Sequence, residues 1–242
     1  MAGHARSVGA ATEGSDRGRR ASGFTLVEVL VVLAILATLI AMVAAGIPYA
    51  LKQKEVTRAR SLVNGVGATL EMLKNDTDAY GKYPPTRLRD LRIGKNLVGK
   101  ELGQQNDINV GSECLYYLQN TDLVKIERPA NTDLTLVDNL DEDRYKVARG
   151  TPDTEAREYV DPWGIPLVYF HCNDYKDHKG LTTLKNREGE TIEVFPRKIP
   201  AKAGGGWLFP NGFQLFSLGL DGKQDDPDDP DEEGDDIVYG VQ

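Results

Sequence analysis

The side chains best suited to chemistry form an acidic stretch near the C-terminus. Residues 221–236 contain ten carboxylates and a single lysine, and they follow the glycine-rich run from Leu218 to Gly222. Carboxylates clustered on such a turn supply the oxygen ligands that Ca²⁺ prefers, although their spacing does not match an EF-hand loop. The stretch therefore predicts a calcium site or, alternatively, a solvated acidic tail, which is a common outcome for charge runs of this kind.

The same stretch limits the class of partner. The formal net charge is -8, and nearly all of the excess negative charge lies between residues 221 and 236. Proteins that bind nucleic acids need a basic face to neutralise phosphates. We therefore expect no nucleic-acid partner.

The remaining reactive side chains do not form a recognisable catalytic pattern. The sequence contains no P-loop, dinucleotide fingerprint or Gly-x-Ser-x-Gly motif. His171 and Cys172 are neighbours in an expected strand, so their side chains should point to opposite faces and make poor partners for a Cys–His nucleophile. A metal cluster of His171, Asp174, Asp177 and His178 is less favoured than a solvated loop. We expect that the protein is not an enzyme.

The two cysteines leave two interpretations open. Cys114 and Cys172 are 58 positions apart and form no CxxC motif, so they do not match a Cys/His zinc site. Export to an oxidising compartment would allow a disulfide between them. The alternative is two separate small buried residues.

A long apolar run near the N-terminus contains one misplaced acid. The run extends from Phe24 to about Ile47, and about 24 residues in a helix cross a bilayer core of roughly 30 Å. A secretory signal peptide has a shorter apolar region of about 7–15 residues. A plain membrane anchor explains the length but not Glu28, because a carboxylate in a spanning segment is costly. The arginines before the run should stay cytoplasmic, which places the rest of the chain outside.

The segment Gly23-Phe24-Thr25-Leu26-Val27-Glu28, with basic residues before it and the apolar run after it, resembles the processing motif of type IV prepilins. The resemblance implies that a prepilin peptidase cuts between Gly23 and Phe24 and that Phe24 is then N-methylated. It also implies that Glu28 serves assembly by pairing with the N-terminal amine of a neighbouring subunit. Residues 1–23 would be the leader peptide and residues 24–48 the transmembrane and filament-core helix.

The helix is expected to continue through Pro48, with a kink, to about residue 75. Its second half carries apolar residues three and four positions apart, which form one stripe that should pack on a sheet. A short helix is expected at 112–118 and strands at about 165–170, 191–196 and 213–217. The fold class is therefore α+β, with a long helix packed on a small antiparallel sheet. Residues 49–242 would form the periplasmic domain, and residues 86–160 are interpreted as an insertion of unknown role.

Three segments of this domain resemble the major pseudopilins of type II secretion systems. They are Tyr83-Pro84, the run from Asp161 to Tyr169, and the acidic loop, which resembles the family's calcium loop. The resemblance implies calcium ligands at the positions of Leu218 (through its carbonyl), Asp221, Asp235 and Asp236. Gly234 departs from the pattern, because an acid is expected there.

The resemblance implies a structural subunit of a type II secretion pseudopilus, which drives export of folded proteins across the outer membrane. Its partners would be copies of itself, other pseudopilins, the inner-membrane assembly platform and the prepilin peptidase. It would cross the inner membrane once, with its C-terminal domain in the periplasm. A subunit of a surface type IV pilus, for adhesion, motility or DNA uptake, is the alternative. A third hypothesis is an exported binding protein released after Ala45.

Overall fold

The computed structural model describes residues 23–75, 81–87, 90–93, 96–97, 112–120, 136–142, 144–146, 153–177, 183–226, 228–229 and 234–241. The chain divides into two compact units, with the boundary between Tyr49 and Ala50. Each unit is described by itself below.

One long helix, α1, runs from Leu26 to Asn75 and continues through Pro48, as the sequence predicts. In the first unit its apolar side chains are exposed, among them Leu30, Leu33 and Ile40. By length and composition α1 is suited to cross a membrane. A helix that is apolar on all sides is typical of a membrane span or of a helix buried among other protein segments.

The part of α1 that lies in the second unit has one buried face. The apolar stripe predicted from the sequence is buried at Ala59, Val63, Val66, Leu70 and Leu73, and Val56 packs against the same core. A side chain at Gly67 would overlap the ring of Tyr239. The stripe therefore anchors the second unit, and Gly67 allows Tyr239 to lie directly against the helix.

The remaining elements are short and the sheets are antiparallel, which confirms the predicted α+β class. The elements are β1 (Arg92–Ile93), β2 (Asn96–Leu97), α2 (Glu113–Asn120), β3 (Val137–Asp138), β4 (Arg144–Lys146), β5 (Asp153–Glu155), β6 (Glu158–Tyr159), β7 (Val168–His171), β8 (Thr183–Lys185), β9 (Thr191–Glu193), β10 (Phe213–Ser217) and β11 (Ile237–Val238). A central sheet has the order β11-β10-β7, and β1-β2, β3-β6, β4-β5 and β8-β9 form two-stranded pairs.

The central strand β10 is buried on both faces. Phe213 and Leu215 belong to a first core that also contains the α1 stripe. Phe216 belongs to a second core, together with Val168 and Phe170 of β7. Because successive side chains of a strand alternate between faces, β10 separates the two cores and all five of its residues are buried.

Residues 86–160 contribute to the first core. Leu91, Leu115, Leu118 and Leu136 are members of that core. The Tyr159 N–H donates a hydrogen bond to the Ser112 hydroxyl at 2.7 Å, which ties β6 to the start of α2. The described part of this stretch is therefore an integral part of the second unit, and its interpretation as an insertion of unknown role stays a prediction.

The predicted Asp-Pro-Trp-Gly turn is organised by the buried carboxylate of Asp161. Its Oδ1 accepts hydrogen bonds from the N–H groups of Trp163 and Ile165, at 3.0 and 2.9 Å. Its Oδ2 accepts a hydrogen bond from the Ser217 hydroxyl at 2.7 Å. Asp161 thereby fixes the turn before β7 against the end of β10, where the acidic loop begins.

Candidate functional site

Two features of the chain could carry function, and the first is the start of α1. The Glu28 carboxylate accepts hydrogen bonds from the Thr25 N–H at 2.8 Å and from the Thr25 hydroxyl at 2.9 Å. The Glu28 N–H donates to the Thr25 hydroxyl at 3.3 Å. These reciprocal bonds form a capping box, which satisfies N–H groups at the helix start that otherwise have no partner.

The predicted cleavage position lies just before this cap. Gly23 and Phe24 precede the helix and are exposed, with Phe24 80% accessible to solvent. Non-helical, exposed backbone is the form in which a peptidase can reach a scissile bond. The structure therefore leaves the peptide bond between Gly23 and Phe24 accessible, and Glu28 lies one helical turn further on.

The second feature is the acidic loop after β10. Among the residues that the structure describes, Asp225, Asp235 and Asp236 form a group whose carboxylate oxygens lie within 4.8 Å of one another. Asp225 and Asp236 are joined reciprocally, since the N–H of each donates to the Oδ2 of the other, at 3.1 and 3.0 Å. We call these three aspartates the acidic cluster.

Asp235 closes the turn that begins the loop. Its Oδ2 accepts hydrogen bonds from the N–H groups of Leu220 and Asp221, at 2.6 and 3.3 Å. A side chain at Gly219 would collide with the Asp235 carboxyl, and Gly219 has a φ of 70°, a conformation that favours glycine. The glycine-rich turn is thus shaped around this carboxylate.

Asp225 is the member of the acidic cluster that the sequence analysis missed. A Cβ added at Gly234 would lie 2.8 Å from the Asp225 Oδ2, so Asp225 occupies the space that a side chain at 234 would need. Gly234, where the resemblance predicts an acid, therefore leaves room for the Asp225 carboxylate. The sequence marks Asp225 only as one carboxylate of the acidic stretch, so no local signal separates it from its neighbours.

The four ligands implied by the resemblance are only partly brought together. Asp235 and Asp236 belong to the acidic cluster, but Asp221 lies outside it. Asp221 is exposed, and its Oδ1 accepts a hydrogen bond from the Lys223 N–H at 2.9 Å. The side chain of Leu218 is fully buried in the second core.

The electrostatics of the acidic cluster favour an added cation. The Asp236 side chain is only 1% exposed, and the Oδ1 atoms of both Asp235 and Asp236 are buried without a hydrogen-bond partner. Burial raises the pKa of the Asp225 and Asp235 carboxyls, and the nearby Asp221 charge raises both pKa values further. Buried carboxylate oxygens without partners fit a hard divalent cation such as Ca²⁺.

Arg197 supplies a positive charge within the protein. Its Nη1 contacts the Asp236 Oδ2, and its side chain is 13% exposed. The guanidinium also lowers the pKa of Asp225, which opposes the larger effect of burial. No sequence motif pointed to Arg197, because it lies 39 positions before Asp236.

The prediction that His171 and Cys172 face opposite sides of a strand is wrong. β7 ends at His171, and Cys172 begins a 3₁₀ turn, so the Cys172 Sγ lies 3.9 Å from the His171 Nδ1. Burial raises the pKa of the Cys172 thiol and lowers the pKa of His171. Both shifts disfavour a thiolate–imidazolium pair, so the contact does not produce an activated nucleophile.

The disulfide considered for the two cysteines is not formed. Cys114 and Cys172 are free thiols in this structure. Cys114 belongs to the first core, whereas Cys172 packs against the second. The second interpretation, two separate buried residues, describes Cys114, whereas Cys172 is separate from it but only partly buried.

The less favoured metal cluster of His171, Asp174, Asp177 and His178 is only partly described by the structure. His178 lies outside the described residues, and Asp174 accepts a hydrogen bond from the Thr86 hydroxyl at 2.6 Å.

Comparison with known proteins gives two matches. The family model of the prokaryotic N-terminal methylation motif matches residues 18–44. Type II secretion system core protein G of Pseudomonas aeruginosa is 40% identical over 62 residues, which cover 26% of this chain and 44% of that relative. The chain thus spans less than half the length of this relative. No solved structure matches the chain.

Proposed function

Because this chain is type IV pilin-like and carries a prokaryotic N-terminal methylation motif, we propose that it is a pseudopilin, the structural subunit of a type II secretion pseudopilus. The observation that carries the proposal is Glu28, a carboxylate in the first turn of an exposed apolar helix and four residues after Phe24, whose bond to Gly23 is accessible. Such a carboxylate is costly in a membrane unless it has a partner.

Cleavage after Gly23 would create that partner. The new amine of Phe24 and the Glu28 carboxylate would each be unfavourable alone in an apolar bundle of helices, and they would be stabilised together. The Thr25 N–H is not altered by cleavage, so the cap on Glu28 can persist in the mature chain. A subunit would thus wait in the membrane with its carboxylate capped and then pair with the amine of the next subunit.

Two observations favour secretion over a surface pilus. The relative from Pseudomonas aeruginosa is a type II secretion core protein, and the acidic loop resembles the calcium loop of the same family. A surface type IV pilus subunit remains the second candidate, because the methylation motif is shared by both classes. In either case the protein would cross the inner membrane once, expose its second unit to the periplasm, and assemble with itself, related pilins and the assembly platform after processing by prepilin peptidase.

We propose further that the acidic cluster binds calcium. Asp225, Asp235 and Asp236 would hold the ion. Calcium would supply positive charge between two segments of the loop that are about ten residues apart in sequence and would offset the repulsion among the carboxylates.

The mature N-terminus tests the filament proposal. Mass spectrometry of the protein extracted from membranes of its host should find a chain that begins with N-methylated Phe24. A chain that retains residues 1–23 would contradict the proposal. A chain that begins at Gly46 would instead support an exported binding protein.

Deletion of the gene separates the two filament classes. For a pseudopilin we expect loss of protein secretion across the outer membrane with surface pili intact. Loss of pili or twitching motility with normal secretion would select the pilus. Complementation with the wild-type gene controls for effects on neighbouring genes.

Calorimetry on the full-length chain in detergent tests the calcium site. We expect saturable binding of calcium by the wild type and at least a tenfold loss of affinity in Asp235→Asn and Asp236→Asn. Asp226→Asn is the matched control, because Asp226 is exposed in the same loop and outside the acidic cluster. No saturable binding at millimolar calcium would exclude the site.

A further inference from the structure

We propose that Arg197 is an internal counter-ion of the acidic cluster, which keeps the loop closed without a metal and competes with calcium for Asp236. The inference rests on the calcium site proposed above and adds how the protein regulates it. It assigns a role to a residue outside the loop.

The contact between Arg197 and Asp236 is shielded from water on both sides. The Arg197 Nη1 lies against the Asp236 Oδ2, and the two side chains are 13% and 1% exposed. Removing one partner of a buried ion pair leaves the other charge without compensation, which is strongly destabilising. Asp236 therefore depends on a nearby cation, and in the absence of metal that cation is Arg197.

The backbone of Arg197 is held by the central sheet. The buried amide of Gln214 on β10 brackets its backbone, because the Gln214 Oε1 accepts the Arg197 N–H and the Gln214 Nε2 donates to the Arg197 carbonyl at 2.9 Å. The guanidinium carbon lies 5.6 Å from the centre of the Phe216 ring, within the range of a cation–π contact. The guanidinium is thus presented to the loop by the rigid central strand.

The charges of this group leave room for one divalent ion. With Arg197 in place, three carboxylates and one guanidinium still carry two net negative charges, which attract a divalent ion. The Asp236 Oδ2 is already shared by the guanidinium and the Asp225 N–H, whereas the Oδ1 atoms of Asp235 and Asp236 have no hydrogen-bond partner. A calcium ion that binds these oxygens would repel the guanidinium at close range.

Arg197 also has space to move. It lines a surface cavity of about 630 Å³ together with Phe195, Pro196, Lys223 and Asp228. A guanidinium displaced into this cavity would be solvated and would still face a carboxylate. Exchange between Arg197 and calcium therefore does not require the surrounding strands to rearrange.

Calcium titration and thermal denaturation of the full-length chain in detergent test the inference, with Arg197→Gln as the variant. Without calcium, in EDTA, Arg197→Gln should unfold at a lower temperature than wild type. Calcium should restore it, with an affinity about tenfold tighter than wild type because the competing charge is gone. Lys198→Gln is the matched control, since Lys198 is exposed, carries the same charge and lies 5.3 Å from the Trp207 ring. It should behave as wild type.

An Arg197→Gln affinity equal to or weaker than that of wild type overturns the competition. If neither protein binds calcium, the calcium site itself fails, and this outcome is distinguishable because the wild-type titration is then flat. If Arg197→Gln does not fold, Arg197→Lys decides. Lysine keeps the charge without the planar fork, so it should compete with calcium less well than arginine does. We therefore expect Arg197→Lys to bind calcium more tightly than wild type. An unchanged calcium affinity again overturns the inference.

Discussion

Thr25 and Glu28 cap one another, so the acid of the apolar helix already has two hydrogen-bond donors within its own chain. Both donors belong to Thr25, and both reach the same Glu28 oxygen, at 2.8 and 2.9 Å. The second carboxylate oxygen is not used by this cap. Capping and inter-subunit pairing are therefore compatible, and their contributions can be separated by substitution.

The first prediction separates the charge of Glu28 from its cap. Glu28→Gln keeps an oxygen that can accept the Thr25 N–H but removes the charge, whereas Glu28→Leu removes both. Both variants should be processed after Gly23, because the substitution leaves the residues at the cleaved bond unchanged. Both should fail to assemble into filaments, because pairing with an amine requires the carboxylate charge. Processing is measured by gel mobility or mass, and assembly by shearing and electron microscopy.

Thr25→Val provides the comparison for the cap. It removes the hydroxyl but leaves the backbone N–H and the Glu28 charge, so filaments should still form. Filament formation by Glu28→Gln at the wild-type level would show that the cap, and not the charge, is what assembly needs.

The second prediction concerns two glycines of α1 that lie two positions apart. A methyl group at Gly67 would overlap the Tyr239 ring, whereas a Cβ at Gly65 would meet nothing within 4 Å. Gly67→Ala should therefore destabilise the second unit by about 1–3 kcal/mol through overpacking. Gly65→Ala should be neutral or stabilise it by up to about 1 kcal/mol, because alanine is the better helix former. Thermal denaturation of the full-length chain measures both.

The pairing with Tyr239 has its own control. Gly67→Ala should cost less stability in a Tyr239→Ala background than in the wild type, because the overlap is then absent. Equal effects of alanine at 65 and 67 would contradict the close contact between α1 and Tyr239.

The third prediction is a pH dependence that arises from Asp161. Burial raises the pKa of this carboxyl from 3.8 to about 6, against the opposing effect of its hydrogen bonds. The folded state therefore keeps the Asp161 proton to higher pH than the unfolded chain does, so protonation of Asp161 stabilises the folded state at low pH. This stabilisation is lost as the pH rises through 6, and between pH 5 and 7 the free energy of unfolding falls by about 1 kcal/mol because of this group.

Asp161→Asn tests the assignment. Asparagine keeps the carbonyl oxygen for the two N–H donors of the turn and places an amide opposite Ser217. The unfolding temperature of wild type should fall from pH 5 to pH 7, and the fall should be smaller in the variant. Asp225 and Asp235, whose pKa values are also raised, contribute in the same direction and persist in both proteins. If the unfolding temperature of Asp161→Asn changed with pH as much as that of the wild type, Asp161 would be ruled out as a source of the pH dependence.

The fourth prediction addresses the cysteines. Cys172 is partly exposed and Cys114 is buried, so alkylation of the native protein without reductant should modify Cys172 alone. Cys172 should react slowly, because burial raises the pKa of its thiol. Denaturation without reductant should expose both thiols, giving two adducts by mass spectrometry. Absence of any adduct after denaturation would indicate a disulfide, contrary to the structure.

Much of the fold could be predicted because the signals are local. The spacing of Val56, Ala59, Val63, Val66, Leu70 and Leu73 repeats every three or four residues, so neighbours in the sequence alone define the buried face of α1. The same holds for the turn at Asp161, where the carboxylate and the N–H groups that it accepts lie within five consecutive residues. It also holds for β10, whose strand-forming residues are contiguous. Residues 86–160 could not be interpreted in this way, because Leu91, Leu115 and Leu136 join the first core through contacts with distant segments and not through a local period.

The candidate sites divide along the same line. The sequence by itself indicated the proposed processing site and Glu28, because the cleavage position, the apolar run and the acid are recognised from their order along the chain. It also located the acidic stretch. Only the tertiary structure decided which carboxylates meet, since Asp225 reaches Asp236 through a folded loop and fills the space beside Gly234. Arg197 joins them from a separate segment held by Gln214. Long-range contacts of this kind depend on how the chain closes in three dimensions, and the spacing of residues along it does not encode them.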